Sequence, residues 1–167
     1  MRVILTGAEC SGKTTLANQV AEVTQSSLLP EQARIYLDQK GLDYNPVDLL
    51  HILVKHDEEE MKLSGSNDNY ICDTDALTLY LWYLIKYGEH QPLIYDYWRE
   101  HNDGLYIVCA LVEPWEADPQ REHPEGRDLI HLNYIEMLTH HRCNFEVIDG
   151  TSEERLSRVI QLMGFNG

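Results

Sequence analysis

A chain of 167 residues has room for one domain around a single core, and 43% hydrophobic with 25% charged residues excludes a disordered polymer. The 28 acidic against 13 basic residues leave a formal net charge of −15, which repels nucleic-acid backbones and anionic membranes. Neither is an expected partner, no apolar run approaches the about 20 residues of a membrane span, and homo-oligomers stay open.

In chain order, Arg2 to Thr6 is a short apolar run that reads as a buried strand. It leads into Gly7-Ala8-Glu9-Cys10-Ser11-Gly12-Lys13-Thr14, which fits the phosphate-loop template G-x4-G-K-[ST], and a helical pattern follows over Lys13 to Gln25. Glycines let the backbone wrap inward so that successive N–H groups and the helix dipole face a phosphate. Residues 7–15, Thr15 included, are therefore the expected nucleotide contacts. Lys13 bridges the outer phosphates of ATP or GTP, and the Thr14 hydroxyl is a ligand for Mg2+. Cys10 has no assigned chemistry of its own.

Ser27 to Pro30 reads as a weak strand, followed by a helix over Glu31 to Gln39. Glu31 opens that helix and Arg34 lies one turn on, a pair suited to holding a substrate hydroxyl; the alternative is a dipole-favoured Glu31 paired with Arg34. A helix over Pro46 to Leu63 carries Glu58-Glu59-Glu60, read as a solvated face. Tyr70 to Asp73 reads as a strand ending in a carboxylate beside the phosphate loop, where a phosphoryl-transfer site needs its metal partner. Asp73 is base, metal ligand or both, and Asp75 is a substrate contact or the cap of the helix over Asp75 to Tyr87. Tyr80, Trp82, Tyr83 and Tyr87 pack this helix against the sheet, with contact to a base as the alternative.

Leu105 to Val112 reads as another strand. The polar stretch from Val112 to Asp128 holds three prolines and reads as a lid over about 113–128, with Arg121 and Arg127 as arginine-finger candidates or as partners of nearby carboxylates. A helix over Asp128 to His141, a strand over Phe145 to Ile148 and a helix over Ser152 to Met163 complete a single domain, 1–167. Strands alternating with helices predict a three-layer α/β fold with ligands beyond the carboxyl ends of the strands. The histidines lack metal-ligand spacing, so no zinc site is expected. Cys10, Cys72, Cys109 and Cys143 form no CxxC pair and read as reduced thiols. With no signal-peptide pattern before the first strand, the expected location is cytoplasmic.

These residues resemble the NadR-like family of P-loop proteins, which contains the ribosylnicotinamide kinase domain of NAD biosynthesis regulators. The likeness rests on residues 7–16, on Pro30-Glu31-Gln32-Ala33-Arg34-Ile35-Tyr36-Leu37, on Cys72-Asp73-Thr74-Asp75 with Thr78, and on Trp115, Asp118 and Arg121. The resemblance implies a P-loop kinase fold with a five-stranded parallel sheet in the order 2-3-1-4-5. It also implies ATP as donor and the ribose 5′-hydroxyl of a pyridine riboside, nicotinamide riboside first, as acceptor. It would put Asp73 near Mg2+ and the attacking hydroxyl, Glu31 and Arg34 on the substrate side, Arg121 and Arg127 in the lid, and Asp149-Gly150-Thr151 beside adenine. One departure bears on specificity: an aromatic that family kinases can carry before Glu31 is Pro30 here. No adenylyl transfer is expected. The competing readings are a kinase for another nucleoside or nucleotide, and an ATP-binding regulatory module without transfer.

Overall fold

Strand β1 (Arg2–Thr6) is buried at all five residues, and a computed structural model of the chain shows why: it is the middle strand of a parallel sheet. The structure describes residues 1–41, 43–65, 69–111 and 125–165. β1 pairs on one side with β3 (Tyr70–Asp73) and on the other with β4 (Leu105–Cys109); β2 (Ser27–Leu29) and β5 (Asn144–Ile148) complete the order β2-β3-β1-β4-β5. This is the order that the resemblance implies. In register, Leu5 lies opposite both Asp73 and Ile107, so the loops after β1 and β3 emerge at one sheet end.

The two-residue period of the strands divides the core in two. Val3, Leu5, Ile71 and Ile107 face helix α1 (Lys13–Thr24) and the last helix, Ser152–Leu162. Ile4, Cys72, Tyr106 and Val108 face the opposite layer, built from α2 (Gln32–Lys40), α3 (Pro46–Ser64), α4 (Ala76–Tyr87), α5 (Pro92–Glu100) and α6 (Arg127–His140); the last helix is α7.

Helix α5 has no counterpart in the sequence reading. Its nine residues include Tyr95, Tyr97 and Trp98, which are weak helix formers. The signals it does carry are local: Pro92 occupies the first turn, and the Gln91 side chain accepts a hydrogen bond from the Leu93 N–H at 3.1 Å. Ile94 and Trp98, four residues apart, are both buried completely. The Trp98 indole N–H donates to the Tyr106 hydroxyl at 3.0 Å, which fixes α5 to the sheet.

Two further corrections concern the ends of elements and a charge. β4 stops at Cys109 rather than Val112; the Ala110 N–H still donates to the Ile148 carbonyl at 2.9 Å, and Val112 lies outside the described residues. Glu60 is not on a solvated face: it is buried, ion-paired with Arg2, and 3.2 Å from His56 Nε2. Burial pushes its carboxyl up, but the His56 hydrogen bond and the Arg2 charge outweigh this and hold it at about 2. The flanking Glu58 and Glu59 do remain on the surface, paired with Lys55 and Lys62. A run of three glutamates on a helix spans 200° of its circumference, so one of them turns inward.

Candidate active site

Between β1 and α1 the chain makes the tight loop that the glycine spacing predicts. Gly7 has φ +133°, and a Cβ there would meet the Cys109 carbonyl at 2.8 Å, so only glycine lets the loop pass this close to β4. Gly12 caps α1 in the left-handed region with φ 81°. Ser11 between them is fully buried. The Lys13 ammonium donates to the Ala8 carbonyl at 2.8 Å and so lies folded across its own loop.

Arg155 on α7, which the sequence reading did not select, supports this loop from behind. Its guanidinium donates through Nη1 to the Ser11 carbonyl at 2.9 Å and through Nε to the Gly150 carbonyl at 3.0 Å. Thr151 caps α7: its side chain accepts from the Glu154 N–H at 3.3 Å, while its own N–H donates to Glu154 Oε2 at 2.8 Å. The available signal was an arginine on the buried face of an amphipathic helix, four residues before Val159.

A cavity of about 590 Å³ opens over the loop. Residues 7–16 line one end, with Gly150, Thr151, Ser152 and Arg155 beside them. Glu31, Arg34 and Thr78 line it as well, and Leu37, Trp82, Ile85, Ile130 and Tyr134 supply an apolar wall from α2, α4 and α6. Such a combination of a polar end and an apolar wall suits a ligand with charged and ring-bearing parts.

Asp73 lies at the end of β3, 3% exposed, behind Thr14 rather than in the cavity wall. The Thr14 hydroxyl donates to its carboxylate, while Oδ1 is buried with no hydrogen-bond partner. Burial pushes the Asp73 carboxyl up; the Thr14 hydrogen bond and the charges of Lys13 and Arg34 oppose that shift. Glu31 is also pushed up, first by burial and then by the carboxylates of Asp73 and Glu9, against the cations Lys13 and Arg34. Although Glu31 occupies the cap position of α2, its side chain makes no capping bond. Two carboxyls with raised proton affinity thus flank the lysine of the phosphate loop.

The structure puts Asp75 elsewhere. Its Oδ1 accepts from the Leu77 N–H at 3.1 Å and its Oδ2 from the Tyr106 hydroxyl at 2.6 Å, so both oxygens are committed to capping α4 and joining it to β4. Arg127 is buried in the first turn of α6 and is not among the residues that line the cavity. Arg121, Trp115 and Asp118 lie outside the described residues, as does the lid apart from 125–128.

Comparison with known proteins agrees with this geometry. The family model described as AAA domain matches residues 2–155. The trifunctional NAD biosynthesis/regulator protein NadR of Salmonella typhimurium is 25% identical over 171 residues, covering 96% of this chain and 41% of the relative. The chain therefore spans less than half the length of that relative. A crystal structure of NadR protein in complex with NR superposes with a TM-score of 0.83 at 17% identity, covering 98% of this chain and 51% of that one. A deoxyadenosine kinase from M. mycoides, with products dCMP and dCDP bound, superposes with a TM-score of 0.66 at 13% identity, covering 98% and 99%. At these identities the structural likeness establishes the P-loop kinase fold.

Proposed function

The chain belongs to the AAA domain family of P-loop proteins, and from that membership we propose that it is an ATP-dependent kinase for a pyridine riboside, nicotinamide riboside first. The observation that carries the reading is Glu31: a carboxyl of raised proton affinity that makes no capping bond and lines the same cavity as the phosphate loop and an apolar wall.

In the proposed reaction the riboside 5′-oxygen attacks the γ-phosphorus of ATP, a new P–O bond forms, and the bond to the β–γ bridging oxygen breaks. Glu31 orients the hydroxyl and takes its proton, while Arg34 one turn along α2 neutralises charge beside it. Backbone N–H groups of residues 7–13 and the Lys13 ammonium, once drawn off the Ala8 carbonyl, hold the transferring phosphoryl group. Gly150 and Thr151, which line the cavity with the phosphate loop, are the residues expected beside adenine. Thr14 and the unpartnered oxygen of Asp73 are a suitable donor pair for Mg2+. When bound, the ion neutralises phosphate charge.

The test is incubation with Mg-ATP and a panel of nucleosides that includes nicotinamide riboside and deoxyadenosine, with products separated beside a Lys13→Ala control. A riboside monophosphate that vanishes in the variant is the expected result. Phosphorylation of deoxyadenosine alone would replace the acceptor, and ATP binding without any product would favour the regulatory module.

A further inference from the structure

The apolar wall holds two aromatic rings: Tyr134 is buried, with its hydroxyl donating to Thr78 Oγ1 at 3.2 Å, and Trp82 is the more open of the two. Trp82 lines the cavity from α4 with Ile85, together with Leu37 of α2 and Ile130 of α6, while Pro30, exposed ahead of Glu31, is not among the lining residues. Trp82 is braced from behind. The Tyr44 ring stands against it at a centroid distance of 4.9 Å and an angle of 62°, and Tyr44 is itself held by the Lys86 ammonium 3.7 Å above its ring centre. Tyr44 is buried, and Trp82 is partly open.

Among aromatic side chains, the tryptophan face attracts a desolvated cation most strongly, because its quadrupole places negative charge over the ring. Leu37, Ile85 and Ile130 offer no hydrogen bonds with which to read a base edge, and the Tyr134 hydroxyl in the same lining already donates to Thr78 Oγ1. Ring charge is the distinction that a tryptophan face adds to such a wall. We infer that Trp82 is the specificity-determining residue of the acceptor site, selecting nucleosides whose ring carries a positive charge over uncharged nucleosides of equal size.

This rests on the riboside-kinase reading and adds the property by which the acceptor is chosen. Equilibrium binding and steady-state kinetics are compared for nicotinamide riboside, a pyridinium cation, and for its reduced 1,4-dihydro form, which has the same size without the charge. The wild-type protein binds the cation about tenfold more tightly. Trp82→Leu loses most of that preference by weakening the cation, with the neutral form within about threefold of wild type, and Trp82→Phe falls between them. The Phe variant keeps an aromatic wall and guards against a folding defect in the Leu variant, and thermal melting monitors both. Equal weakening of the two ligands in Trp82→Leu, or no preference in the wild type, overturns the inference while the kinase reading stands. Failure of the wild type to phosphorylate any riboside overturns both.

Discussion

Arg155 donates to the carbonyl of Ser11 across 144 residues of sequence, and the same guanidinium holds Gly150. One buried arginine therefore couples the phosphate loop to the start of α7. Replacing it with methionine keeps the volume but orphans the buried Ser11 carbonyl, at a cost of about 1–3 kcal/mol before relaxation, and releases the more open Gly150 carbonyl to water. The expected outcome for Arg155→Met is a raised KM for ATP with little change in KM for the acceptor, together with a lower melting temperature. An unchanged KM for ATP would confine Arg155 to packing.

Glu31→Gln separates catalysis from stability. Because burial raises the folded-state proton affinity of Glu31, the native state binds a proton more readily than the unfolded chain. Stability is then lost as pH rises from the ordinary carboxylate value through the raised folded one, and stays lost at neutrality. Glu31→Gln should melt higher than wild type at pH 7, with the gain fading below about pH 4. Its kcat should fall by about 10²–10⁴. Wild-type kcat should rise with pH along an acid limb that lies above the ordinary carboxylate range, and that limb should be absent from the variant.

Glu60 runs the other way. Its carboxyl is held at about 2, so the stability it contributes is present above the ordinary value of 4.5 and disappears as pH falls toward 2. Removing its charge leaves Arg2 buried without its partner, a defect worth about 3–5 kcal/mol. Glu60→Gln should therefore show a large drop in urea stability at pH 7 that shrinks on acidification. A loss that is independent of pH would argue against the ion pair as its source.

Gly7→Ala tests the close passage of the loop. With φ at +133° and the Cys109 carbonyl 2.8 Å from the new methyl, loop or strand has to move. Nucleotide binding, read by isothermal titration, should weaken by at least about tenfold, since strain of this kind costs about 1–3 kcal/mol.

Asp75→Ala distinguishes a cap from a substrate contact. The loss of a buried cap and of the bond from Tyr106 should lower stability by about 2 kcal/mol and leave the KM for the acceptor within about twofold. A selective rise in acceptor KM without destabilisation would return Asp75 to the site.

The parts of the fold legible in sequence are those dictated by local chemistry. Gly7, Gly12 and Lys13 announce a loop that can take one shape, and continuous apolar runs such as Arg2 to Thr6 announce strands buried on both faces. What sequence could not rank was partnership between distant residues. Asp73 and Asp75 are two positions apart with identical side chains, yet one lies behind Thr14 and the other is consumed by Tyr106, on α4 and β4 contacts that no local pattern encodes. Glu60 looks like its neighbours until Arg2, 58 residues away, is packed against it. Trp82 read as helix packing because an aromatic on an amphipathic helix does the same thing locally whether its far side meets sheet or cavity.

The parallel sheet also separates two kinds of freedom. The phosphate loop is supported through α1 and α7 on one face, whereas the apolar acceptor wall comes from α2, α4 and α6 on the other. Among the described residues, Leu37, Trp82, Ile85 and Ile130 belong to helices on the face opposite α1 and α7, so substitutions that reshape the wall leave the packing behind the phosphate loop intact. On the proposed reading, one acceptor can be exchanged for another while the helices behind the phosphate loop stand still, and laboratory selection for new acceptors is best confined to α2, α4 and α6.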